Sequence, residues 1–111
     1  MAWQRACSVN EVTDDRLTKV TVNGIVILVA RVGDTFAAFP PNCPHMAEPL
    51  EISGVCGDGT LTCTKHIWQW DLRTGGELGD AEKPLALYPV KVEGDEVWID
   101  AERELTYRYD D

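Results

Sequence analysis

The chain has 111 residues and a formal charge of −9, from 19 acidic and 10 basic side chains. That length suits one domain, and 44% hydrophobic with 26% charged residues excludes wholesale disorder. The acid excess argues against nucleic acid and against an anionic membrane surface, both of which need clustered Lys and Arg. It points instead to a basic protein surface as partner. The longest apolar run, Ile25 to Ala30, is six residues, far short of the roughly 20 that span a bilayer. No extended apolar stretch follows the single Arg of Met1 to Cys7, so no signal peptide is visible. A cytoplasmic protein is expected, and four cysteines there indicate metal or redox chemistry more readily than a disulfide framework.

In chain order, Cys7 falls in a first strand and reads as a small core residue. Glu11 to Thr18 is the one stretch that could hold a turn or two of helix. Leu17 to Val22 alternates, Asn23-Gly24 supplies a strong hairpin turn, and Ile25 to Val32 follows as the return strand. Gly33-Asp34 turns the chain into Thr35 to Phe39. Near the C-terminus, Leu87 to Val92, Gly94-Asp95 and Glu96 to Asp100 repeat the hairpin pattern. The expected fold is all-β, a small β-sandwich base. The aromatic and acidic tail, Leu105 to Asp111, has no assigned place.

The middle of the chain differs. Residues 40 to 85 hold five of the six prolines, six of the nine glycines, three of the four cysteines and both histidines. The simplest organisation is a single domain over 1–111 whose base, about 1–40 and 71–111, carries an inserted loop module at about 41–70. Loops on a rigid scaffold are where function concentrates.

The chemistry lies in Cys43-Pro44-His45 and Cys63-Thr64-Lys65-His66, C-x-H and C-x-x-H with seventeen residues between. A solitary histidine is most often an ordinary core or surface residue; two, each beside a cysteine, indicate a metal. Zinc modules commonly pair Cys with Cys and His with His. Here each arm mixes the two types. A two-iron cluster has a use for that arrangement, because two thiolates can ligate one iron and two imidazoles the other. Zinc held by the same four residues is the competing reading. Cys56 is surplus to either set, and a Cys7–Cys56 disulfide is not expected in a reducing compartment.

With these residues the chain resembles the Rieske-type [2Fe–2S] ferredoxins. The resemblance continues through His66-Ile67-Trp68-Gln69-Trp70-Asp71, Thr74-Gly75, Pro84 and Leu87-Tyr88-Pro89-Val90. It implies one [2Fe–2S] cluster, with Cys43 and Cys63 on the inner iron and His45 and His66 on the outer one. It also implies a proline loop near 81–85, with Pro84 covering the cluster, and electron exchange at the histidine tip. Two thiolates and two neutral imidazoles leave the oxidised cluster near zero charge, so Rieske potentials run from about −150 to +300 mV. The disulfide cysteines and hydroxyl donor of high-potential relatives are missing beside His45 and His66, which implies a midpoint below about 0 mV.

Further residues invite a role. Met46, Lys65 and Trp68 are candidates for the cluster environment or a partner contact, although Trp68 and Trp70 could equally pack the module on its base. Glu48, Glu51 and Glu82 lie near the cluster loops and could steer a positively charged partner.

The implied function is a soluble, monomeric electron carrier, not itself an enzyme. It would pass single electrons from a flavin-containing NADH reductase to a terminal oxygenase. The pair Trp68 and Trp70 resembles the ferredoxins of toluene- or alkene-type diiron monooxygenases. The ferredoxin of an aromatic-ring-hydroxylating dioxygenase is the alternative. A nitrite reductase small subunit and a zinc-stapled binding module are further ones.

Overall fold

The computed structural model describes residues 3–13, 16–44, 49–50, 54–57, 59–65, 67–79, 81 and 83–107. Its strands form three antiparallel sheets. The first sheet orders β1 (Trp3–Ser8), β10 (Glu96–Asp100) and β9 (Val90–Glu93). The second orders β2 (Thr18–Val22), β3 (Ile25–Val32) and β4 (Thr35–Phe39). The third orders β5 (Gly54–Gly57), β6 (Thr60–Cys63), β7 (Trp68–Asp71) and β8 (Glu77–Leu78).

The second sheet is the middle layer, which explains its unbroken apolar run. Ile27 and Val29 of β3 and Ala38 of β4 share a core with Cys7, Val97 and Ile99 of the first sheet. Their neighbours Leu28, Ala30, Ala37 and Phe39 face the other way, into a core with Leu61, Cys63, Trp68 and Trp70 of the third sheet. Side chains alternate between faces of a strand. A stretch buried on both faces must therefore be apolar at every position, as Ile27 to Ala30 is.

The turns follow their residues. Asn23 and Gly24 both have positive φ, 54° and 76°, the backbone that suits the tight turn joining β2 to β3. The expected strands at 25–32, 35–39 and 96–100 match β3, β4 and β10. The short helix expected over 11–18 is replaced by a 3-10 turn at Val9–Glu11. Ser8 caps it: its hydroxyl accepts from Asn10 N–H, while the Glu11 carboxylate accepts from Ser8 N–H at 2.6 Å. This pairing caps the turn, and the chain leaves it extended at Val12. The third sheet continues to Leu78, and its strands β5, β6 and the start of β7 fall within residues 41–70, the region read from sequence as a loop module.

Candidate metal centre

Two closed loops start from two buried cysteines. The first is pinched where Asn42 pairs with Pro49 in an isolated antiparallel bridge and Leu50 N–H donates to the Pro41 carbonyl at 2.8 Å. Cys43 enters this loop and is fully buried. The second loop leaves β6 at Cys63, also fully buried, and closes where Ile67 N–H donates to the Cys63 carbonyl at 2.8 Å. Ile67 takes φ 58°, a left-handed backbone that is rare for a β-branched residue. Its side chain is 63% exposed. The strained residue therefore directly follows His66.

Cys43 and Cys63 belong to one buried cluster with Leu50, Leu61, Trp68, Trp70 and Leu85. Two thiols from separate loops thus share a single apolar setting. The first loop can press against β5 because residue 54 is glycine: a Cβ there would lie 2.6 Å from the Leu50 carbonyl oxygen.

Trp68 stands opposite Cys63 in the β6–β7 register, and Trp70 opposite Leu61. The two indoles pack edge to face, 6.3 Å between centroids at 67°, a favoured aromatic geometry. Both sequence-based roles of Trp68 meet here, since it packs the core and stands across from the cysteine. Trp70 is fully buried, and its Nε1–H donates to the Lys83 carbonyl at 2.8 Å. Leu85 N–H donates to the Gly75 carbonyl at 2.8 Å. These bonds hold the segment containing Pro84 against the cluster sheet, with Leu85 in the shared core and Ala81 and Leu87 packed on it. Pro84 and Lys65 are exposed. His45, Met46, Glu48, Glu51, His66 and Glu82 lie outside the described residues.

Cys56 is buried in β5, and Cys7 is buried in the opposite core. The two lie in different cores, so no disulfide joins them. Reading the sequence missed the role of Tyr88, whose hydroxyl accepts from Leu105 N–H at 2.9 Å and ties down the tail. The one available signal was an aromatic run in that tail, Tyr107 and Tyr109.

Residues 2–89 match the model of the Rieske [2Fe–2S] domain. The chain belongs to the Rieske [2Fe–2S] domain family. Its cofactor is accordingly a Rieske-type [2Fe–2S] cluster, and its relatives are ferredoxin subunits, which makes the chain an electron-carrying ferredoxin rather than a catalyst. This ferredoxin is 42% identical over 111 residues to the methanesulfonate monooxygenase ferredoxin subunit of Methylosulfonomonas methylovora, covering 100% of this chain and 90% of that one. It is 30% identical over 96 residues to the ferredoxin component of the alkene monooxygenase system of Xanthobacter autotrophicus, covering 86% and 79%. Among solved structures, it superposes with TM-score 0.79 and 25% identity on a chain of the complex of reduced oxygenase and oxidized ferredoxin in carbazole 1,9a-dioxygenase. That match covers 95% of this chain and 98% of that chain. No helix among the described residues is long and apolar enough to cross a membrane.

Proposed function

We propose that Cys43, His45, Cys63 and His66 hold the [2Fe–2S] cluster, and that the chain, one Rieske domain, carries electrons to the terminal oxygenase of a multicomponent monooxygenase. One observation carries the assignment. Cys43 and Cys63, the first residues of C-x-H and C-x-x-H, begin two separately closed loops and are buried in the same apolar core. A buried thiol pair of this kind fits the inner iron of a Rieske centre, and the donor set, two sulfurs and two nitrogens, fits the cluster as a whole.

When bound, the cluster supplies a one-electron couple. The protein supplies the rest. Apolar burial around Cys43 and Cys63 keeps water from the thiolate side. The segment at 83–86, which includes Pro84, serves as a cover, held by Trp70 and Gly75. His45 and His66 form the exchange tip, and the exposed Ile67 and Lys65 border it for contact with partners. Electron donors of this type are used transiently, so a small contact and fast association serve better than tight binding.

A monooxygenase partner is favoured by the two monooxygenase relatives and by the Trp68–Trp70 pair. The relatives' names span methanesulfonate and an alkene, and a diiron centre in that partner rests on the tryptophan motif alone. The dioxygenase reading is supported by the likeness to the carbazole 1,9a-dioxygenase complex. A flavin-containing NADH reductase upstream and a monomeric, cytoplasmic carrier complete the proposal.

Reconstitution tests it. The reduced ferredoxin is mixed with purified terminal oxygenases of the alkene-monooxygenase, methanesulfonate-monooxygenase and ring-dioxygenase types, and product formation per electron is followed. Turnover with a monooxygenase and little with the dioxygenase is expected. Efficient coupling to the dioxygenase alone would overturn the monooxygenase assignment.

A further inference from the structure

The C-terminal segment after β10 lies outside residues 2–89 matched by the family model, yet it reaches both approaches to the proposed cluster. It leaves the base at Ala101, which is fully buried and whose carbonyl accepts from Asn23 Nδ2 at 3.0 Å. Leu105 N–H then donates to the Tyr88 hydroxyl at 2.9 Å, and its side chain packs on the base core. Two residues on, the Tyr107 hydroxyl oxygen accepts from Ala86 N–H at 3.0 Å. Residues 104–107 also line a cleft of about 140 Å³ with Pro40, Pro41 and Asn42, the residues that lead into Cys43.

Ala86 is two residues beyond Pro84. Three hydrogen bonds among the described residues hold the backbone of the 83–86 segment: Trp70 Nε1–H to the Lys83 carbonyl, Leu85 N–H to the Gly75 carbonyl, and Ala86 N–H to the Tyr107 hydroxyl. The first two come from the cluster sheet and its turn. The third comes from the tail, which is itself anchored in the base. The chain is also tied to the base at Tyr88, whose N–H donates to the Ala38 carbonyl at 2.8 Å; the Tyr107 bond brings a base-side hold into the 83–86 segment itself, two residues from Pro84.

We propose that residues 101–107 form a strap that fixes the 83–86 cover over the cluster, with Tyr107 as the positioning residue. This rests on the reading of 83–86 as the cover of a cluster held at Cys43, His45, Cys63 and His66. The strap acts on water. A cover free to lift admits solvent, solvent favours the more negative reduced state, and the potential then rises. Water and chelator also gain access to the metal.

The test uses the full-length protein with its cluster and the variant Tyr107→Phe, which keeps the ring and removes the acceptor. Three readouts are taken: hydrogen exchange of the Ala86 amide, the rate of visible bleaching in excess chelator, and the midpoint potential. Exchange and bleaching are expected to quicken roughly two- to tenfold, the factor that one neutral hydrogen bond carries, and the potential to move positive. Deletion of residues 105–111 removes the Leu105 contact as well and should shift all three further the same way. Faster Ala86 exchange with bleaching and potential unchanged would reduce the strap to a structural contact and overturn its role. No change in any readout would overturn the strap altogether. A wild-type protein without a Rieske spectrum would instead defeat the cluster assignment, and the positioning role with it.

Discussion

Cys63 and Trp68 face each other across β6 and β7, both buried on the inner face of the third sheet. Directly opposed residues of an antiparallel pair have Cβ atoms about 5 Å apart, so this indole borders the thiol proposed as an iron ligand. Trp68→Ala should cost about 3–5 kcal/mol, as truncation of a buried aromatic does, measured by denaturant unfolding of the cluster-bearing protein. Trp68→Phe should keep the fold while altering the visible circular dichroism of the cluster. An unaltered spectrum would limit Trp68 to packing.

Gly75 has φ 77°, and a Cβ there would meet the Leu85 carbonyl oxygen at 2.3 Å. Gly24 has nearly the same φ, 76°, with nothing within 4 Å. Gly24→Ala should therefore cost only the left-handed backbone penalty, about 1–2 kcal/mol. Gly75→Ala should cost clearly more, because Leu85 must move and the 83–86 segment with it. Unfolding curves of the two variants compare the terms directly. Equal losses would mean that the close approach of Gly75 to Leu85 contributes nothing.

Much of this architecture is legible in the sequence where a local rule decides it. Asn23-Gly24 demands a tight turn, and β3 declares its double burial by an unbroken apolar run. The four proposed ligands stand out because their residue types and spacing are chemical, not conformational. What was hidden depends on distant partners. The 3-10 turn at Val9–Glu11 wins over a helix through one capping box and a hydrogen bond from Val9 N–H to the Asp95 carbonyl at 2.8 Å. The strands of the third sheet are short, two to four residues each, and their partners set them. The roles of Tyr88 and Tyr107 need contacts across 17 and 21 residues, which no periodicity reports.

The net charge of −9 carries a kinetic consequence. An acidic carrier meeting a basic docking surface is steered by long-range attraction that salt screens, with a Debye length of about 10 Å at 0.1 M and about 3 Å at 1 M. Stopped-flow reduction of the terminal oxygenase should slow as ionic strength rises. A rate that stays level from low to high salt would count against steering.

Burial pushes the Cys7 thiol above its ordinary value of 9.0; nearby Glu11 adds to the rise, and Arg5 opposes it. Because the folded state favours the neutral thiol, the stability this gives is full below the ordinary thiol value and is lost as pH climbs through the raised one. Stability should therefore decline in alkaline solution from about pH 9, and Cys7→Ala should flatten part of that decline in denaturant titrations at successive pH values. An identical decline in the variant would assign it to other groups.

The central claim is that Cys43, His45, Cys63 and His66 together hold a [2Fe–2S] cluster. The most direct measurement is the electron paramagnetic resonance spectrum of the dithionite-reduced protein, wild type beside His66→Ala, with visible spectra of both. The wild type should be brown and, once reduced, show the low average g of mixed His/Cys ligation. His66→Ala should lose that signal, because the outer iron keeps one imidazole. A colourless wild type with stoichiometric zinc, or a His66→Ala variant with an intact Rieske signal, would contradict the assignment.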